Sequence, residues 1–189
     1  MTMGVFDKLK EECNLCERCE LCRSRTNVVF GDGQEDAKIM LIGEAPGENE
    51  DLSGKPFVGR AGKLLDSLLE EAGLGRETNV YIANMIKCRP PKNRNPDPVE
   101  INSCISYLKE QIATLQPDII VCVGSVAATY FLGSDFKISK QHGVAFYRDD
   151  NLFFPILHPA ALLRNPNYIP ETKEDLKALI RLSEKLKEA

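Results

Sequence analysis

The sequence predicts an α/β fold, a three-layer α/β/α sandwich with a mainly parallel central sheet. Two observations carry this: short apolar runs ending at glycine or a polar residue, and stretches of helical spacing that alternate with them along the chain. Lys38 to Gly43 reads as a buried strand, and Gly62 to Ala72 as a helix with Leu64, Leu65, Leu68 and Leu69 on one face. The pattern then repeats through Val80 to Asn84 (strand), Pro98 to Leu115 (helix), Asp118 to Gly124 (strand) and Ser125 to Leu132 (helix). Two more strands are expected near Val144 to Tyr147 and Leu152 to Leu157, before a C-terminal helix from about Pro170 to Leu186. The first 25 residues, rich in cysteine and charge, read as a short helix followed by turns that cannot form a core alone.

At 189 residues the chain has room for one ordinary domain, 1–189, and its 43% hydrophobic and 28% charged residues argue against disorder. No window approaches the ~20 consecutive apolar residues of a membrane span, and Met1 to Lys10 lacks the apolar core of a signal peptide. A place inside the cell, away from membranes, is the expectation. The net charge of −4 removes any whole-molecule electrostatic case for nucleic-acid binding, so such a case must rest on local clusters.

Seven cysteines, an odd number, point to metal ligation more than to a disulfide framework. Cys13, Cys16, Cys19 and Cys22 form three overlapping C-x2-C pairs, with Cys88 and Cys104 far downstream. Cys122 sits in an apolar run and reads as a small core residue. Four thiolates suit an iron-sulfur cluster or zinc equally well, and local closure by Cys13, Cys16, Cys19 and Cys22 is also chemically possible.

In open α/β sheets ligands bind beyond the carboxyl ends of the strands. Four such segments concentrate the polar residues: Gly43 to Gly62, Asn84 to Arg94, Gly124-Ser125, and His158 to Pro166. Within them GEAPG at 43–47, GKPFVGRAG at 54–62, CRPPKNRNP at 88–96 and HPAALLRNP at 158–166 resemble, in order and over most of the chain, the family 4 uracil-DNA glycosylases.

The resemblance implies an α/β/α fold, a [4Fe-4S] cluster, and a DNA repair enzyme. Such an enzyme flips uracil out of single- or double-stranded DNA and hydrolyses its N-glycosidic bond, leaving an abasic site. Aligning Leu21, Arg25 and the VVFG run at 28–31 puts the family's N-terminal pair on Cys16 and Cys19, with Cys88 and Cys104 completing the set. The cluster would then staple the N-terminal segment, about 1–25, to the rest. The resemblance also implies a monomer in the cytoplasm of a prokaryotic cell, associated with the nucleoid, and leaves a sliding clamp open as a partner.

For the base, Asn84 matches the amide that pairs with uracil N3 and O4, where cytosine presents the reverse pattern. Phe57 matches the ring on which uracil stacks, and His158 the donor to uracil O2 as negative charge develops. Glu44, Ala45 and Gly47 belong to the same pocket. Another branch of the superfamily carries an Asp and a Tyr where this chain has Ala45 and Gly47, so the general base does not transfer. The water must be positioned by Glu44, Glu50, Asn93 or backbone carbonyls, and a carboxylate near the sugar would help by charge alone. Leu162 matches the apolar wedge that fills the gap left by the base. Arg60, Arg89, Lys92, Arg94 and Arg164 are the expected phosphate contacts. A non-catalytic or covalent uracil-DNA binding protein on the same fold is the alternative, although no histidine occurs in residues 89–95, where a related covalent branch carries one.

Overall fold

The computed structural model describes residues 4–188; residues 1–3 and 189, which belong to the expected domain and N-terminal segment, lie outside the described residues. Helix α1 (Val5–Asn14) and a 3-10 turn (Glu20–Arg23) form the cysteine-rich segment. There follow β1 (Asp32–Gly33), β2 (Ile39–Gly43), α2 (Glu48–Ser53), α3 (Arg60–Glu71), β3 (Val80–Asn84) and, after a short turn at Pro91–Asn93, α4 (Pro98–Leu115). The second half holds β4 (Ile119–Val123), α5 (Ser125–Leu132), α6 (Ile138–Gln141), β5 (Phe146–Arg148), β6 (Asn151–Ile156), α7 (Pro159–Arg164) and α8 (Ile169–Glu188).

The strands form one sheet in the order β1-β3-β2-β4-β6-β5. The four central strands run parallel and the two edge strands antiparallel. Every residue of β2, β3 and β4 is buried, which is why these strands read as continuous apolar runs and not as alternating ones. Alternate side chains serve opposite faces. Met40, Ile42, Ile120 and Cys122 pack with α1, α4 and α5, while Ile39, Leu41, Ile119 and Val121 pack with α3 and α8. Cys122 is fully buried, as its apolar run implies. Pro98 in the first turn and the capping box of Asp97 with Glu100 start α4. Among the described residues no helix is long and apolar enough to cross a membrane.

Several elements differ from the expected pattern. Strand β5 begins two residues later than Val144 because Asp149 and Asp150, both at positive φ, make the tight turn that fixes Arg148 opposite Asn151. Helix α2 has no apolar repeat to announce it; it is held by buried Asp51, whose carboxylate accepts from the backbone N–H groups of Thr26 at 2.8 Å and Asn27 at 3.3 Å. Strand β1 is two residues long and leaves no sequence periodicity at all.

Candidate active site and cysteine cavity

The parallel strands deliver their last residues to one edge. Gly43 ends β2 directly opposite Asn84, the last residue of β3, and Val123 of β4 stands opposite Ile156, two residues before His158. Beyond this edge lies a cleft of about 640 Å³, lined in part by Glu44, Ala45, Gly47, Phe57, Asn84 and His158.

Asn84 is 2% exposed, and among the described residues its Oδ1 is the one buried side-chain polar atom with no hydrogen-bond partner. An orphaned acceptor of this kind is costly unless a ligand completes it. Gly43 makes room for it: a Cβ at position 43 would stand 2.5 Å from Oδ1 and 2.6 Å from the Phe57 ring. Phe57 is buried at positive φ (51°), an uncommon backbone for an aromatic residue, and its ring centroid lies 5.8 Å from that of His158. A Cβ at Gly62 would collide with the Phe57 carbonyl, so the glycine-rich loop closes tightly beneath the ring.

His158 caps helix α7. Its Nδ1 accepts from the backbone N–H of Ala160 at 3.1 Å, and Pro159 follows at the first helical position. A backbone amide can only donate, so in the neutral ring the proton sits on Nε2. Burial, followed by the nearby Arg164 charge, pushes the imidazole down to about 4, which keeps it neutral at physiological pH.

Glu44, Glu50 and Asn93, the three groups named for the water, all line the cleft but are held differently. Glu50 is committed locally: Oε1 accepts from the N–H groups of Val58 and Gly59, each at 2.9 Å, tying α2 to the Phe57 loop. Glu44 lines the cleft half-buried, and burial pushes its carboxyl above the ordinary value. Asn93 also lines the cleft, its Oδ1 accepting from Arg89 Nε at 2.8 Å, and it follows Lys92 in a pair of consecutive left-handed residues.

The expected DNA contacts divide more sharply. Arg60, Lys92 and Arg164 are exposed, and Arg164 lines the cleft. Arg89 is part-buried against Asn93, with Glu48 4.0 Å away. Arg94, which also lines the cleft, is engaged otherwise: its guanidinium holds both oxygens of Glu100, at 2.6 and 2.9 Å, and keeps that carboxyl below its ordinary value. This fork anchors the loop to the start of α4, while the Arg94 side chain stays 40% exposed at the cleft. Leu162 requires a correction. It is 1% exposed and packs in the core on the α3 face of the sheet, so it is not available to enter DNA; the surface leucine of α7 is Leu163, 38% exposed.

A second, smaller cavity of about 20 Å³ is lined by Cys13, Cys16, Cys19, Cys22, Cys88 and Cys104. The expected ligands of the α1 segment, β3 loop and α4 are thus brought together, although among the described residues no three His, Cys, Asp or Glu side chains converge on a single-ion point. The donor set nonetheless suits a thiolate-bound group. The Lys87 backbone N–H donates to Cys104 Sγ at 3.3 Å and Arg25 Nη1 to Cys88 Sγ at 3.4 Å, contacts of the kind that would support sulfur bound to a metal. Burial pushes the Cys104 thiol up to about 11 and the Cys13 thiol to about 12, so thiolates here need a compensating positive charge. Lys87 stands with Arg89, Lys92 and Arg94 in the acid-free stretch 84–94 that the sequence reads as a phosphate-contacting cluster, yet it is buried.

The uracil DNA glycosylase superfamily model matches residues 30–182. A type-4 uracil-DNA glycosylase of Sulfurisphaera tokodaii is 44% identical over 190 residues, covering 96% of this chain and 86% of the relative. One from Thermotoga maritima is 45% identical over 85% of this chain and 84% of its own length. A type-5 uracil-DNA glycosylase of Thermus thermophilus is more distant, at 34% over 75% of this chain and 76% of the relative. With a family match over most of the chain and relatives of this identity along nearly its full length, the protein belongs to the uracil-DNA glycosylase superfamily and, within it, to the type-4 family.

Proposed function

We propose that this protein is a DNA repair glycosylase that excises uracil from DNA, with the whole chain acting as one unit and as a monomer in the cytoplasm. The observation that carries the reading is the orphaned Oδ1 of Asn84, a buried acceptor at the strand edge that uracil N3–H would complete. Its amide N–H₂ suits uracil O4, and cytosine would meet a donor with a donor and an acceptor with an acceptor. The flipped base lies against Phe57, and Nε2–H of His158 donates to uracil O2. As the N1–C1′ bond breaks, its electron pair passes to the base, and the preorganised donor stabilises the anion without having to give up its proton.

Water adds to C1′ of the sugar cation, and its proton leaves to Glu44 or to bulk water. Glu44 is the carboxylate we favour for this, because Glu50, although it also lines the cleft, has its Oε1 tied to two backbone amides. Asn93 helps to hold the water, and the charges of Arg60, Lys92, Arg89 and Arg164 steer phosphates to the cleft. Leu163, exposed on α7 where Leu162 is buried, would occupy the space the base leaves.

Cys16, Cys19, Cys88 and Cys104 would hold a [4Fe-4S] cluster, with zinc as the other group the donor set admits. When bound, the cluster ties the segment around α1 to β3 and α4, a structural contribution. Release of free uracil from a single-uracil oligonucleotide tests the function. An intact oligonucleotide retained on the protein, or a covalent adduct, would replace the glycosylase with a uracil-DNA binder.

A further inference from the structure

The cleft and the cysteine cavity are joined by five residues, Asn84 to Cys88; Lys87 lines the cavity, and its side chain reaches back to the carbonyl of Asn84, whose residue lines the cleft. It is the one Lys or Arg buried among the described residues, at 1% exposed. Its ammonium donates to Gln111 Oε1 at 2.6 Å, to the Asn84 carbonyl at 3.0 Å and to the Phe30 carbonyl at 3.1 Å. Three neutral acceptors match the three N–H groups of a protonated amine. Hydrogen bonding is therefore complete, while charge is not: among the described residues no carboxylate pairs with it. A buried cation is retained only where an opposite charge compensates it.

Lys87 lines the cavity shared by the cysteines, and its own backbone N–H is bonded to Cys104 Sγ. Four thiolates around a metal core of charge 2+ leave an excess of negative charge inside the protein. Arg25, at Cys88 Sγ, meets part of it from a half-exposed position. We propose that Lys87 is a positioning residue whose buried ammonium supplies the internal counter-charge for the metal-thiolate centre of Cys16, Cys19, Cys88 and Cys104. The inference rests on the reading of those four cysteines as ligands.

The test uses the holoprotein prepared anaerobically, with bound metal quantified and its release to a chelator followed in time. Gln111→Glu places a carboxylate against the ammonium and neutralises it where it stands. Gln111→Leu removes the same acceptor and leaves the charge. Lys87→Met removes the cation altogether. Gln111→Glu and Lys87→Met are expected to release metal on the order of tenfold faster than the parent protein, with Gln111→Leu close to the parent. Metal held by Gln111→Glu as tightly as by the parent overturns the proposal. So does equal loss from Gln111→Leu and Gln111→Glu, which would reduce Lys87 to a packing role. If Lys87→Met fails to fold, the Gln111 pair still decides. Parent protein that binds no metal would overturn the ligand reading itself, and the counter-charge with it, a result separable from the others.

Discussion

The backbone N–H of Ala160 donates to Nδ1 of His158 at 3.1 Å, and this one bond makes Nε2 the protonated nitrogen of the neutral ring. The helix that follows the residue thus fixes its tautomer. Replacing His158 with Ala should slow single-turnover uracil excision by a factor on the order of 10²–10³, the scale of one lost transition-state donor. DNA affinity should change far less, since phosphate contacts dominate it. Near-normal excision by the variant would reduce His158 to a helix cap.

The same ring makes stability depend on acid. Its folded value of about 4 lies below the ordinary 6.5, so the unfolded chain takes up the proton first. Above pH 6.5 the residue contributes no pH dependence; as pH falls from 6.5 to 4, stability is lost by roughly 3 kcal/mol. In His158→Asn the amide oxygen can keep the cap, and this share of the acid loss should disappear. Urea unfolding at neutral pH and near the lower limit, for both proteins, measures it.

Glu44 and Glu50 should separate by kinetics. Glu44→Gln should lower kcat and erase an acid limb raised from the ordinary carboxylate value, because burial raises the group and the proposed role needs its charge. Glu50→Gln should instead raise KM and cost about 1.5–3 kcal/mol of stability, having weakened charged bonds to Val58 and Gly59. Exchanged phenotypes would reverse the two assignments.

A methyl group is enough to test the cleft. Gly43→Ala places its Cβ 2.5 Å from Asn84 Oδ1 and 2.6 Å from the Phe57 ring, so both must shift. Single-turnover excision should fall on the order of 10²-fold, as for other small misplacements, while binding to undamaged DNA holds. Unimpaired excision would mean that base reading tolerates a displaced amide.

For the cysteines, the purified protein should be brown and contain iron. Substituting Cys16, Cys19, Cys88 or Cys104 should remove the iron, and substituting buried Cys122 should not. Loss on substituting Cys13 or Cys22 instead, both of which line the same cavity, would redraw the ligand set.

Much of this was legible in the sequence because a sheet buried on both faces writes itself as uninterrupted apolar runs, and because parallel strands send their following residues to one edge. Asn84, Phe57 and His158 are brought to one cleft for that reason. What escaped depends on partners remote in sequence or on neighbours too alike to tell apart. The pairing of Arg94 with Glu100, six residues on, is not announced by the basic run that contains it. Leu162 and Leu163 are identical letters, separated only by the direction each takes from α7. Glu50 stands among three other acids, and only the two amides it accepts from distinguish it. Lys87 belongs to a basic loop by sequence and to the interior by structure.

Beyond the ends of β2 and β3 the ladder continues for two more rungs, from Met85 N–H to the Gly43 carbonyl at 2.9 Å and from Ile86 N–H to the Glu44 carbonyl at 3.2 Å. The amides of residues 85 and 86 therefore belong with the slowest to exchange with deuterated water, although they lead into a functional loop. Opening that would loosen Asn84 must also break the ends of two central strands. The Asn84 end of the cleft and its route to Cys88 cannot breathe separately from the core, and motions that would admit DNA are left to the loops around Phe57 and Lys92.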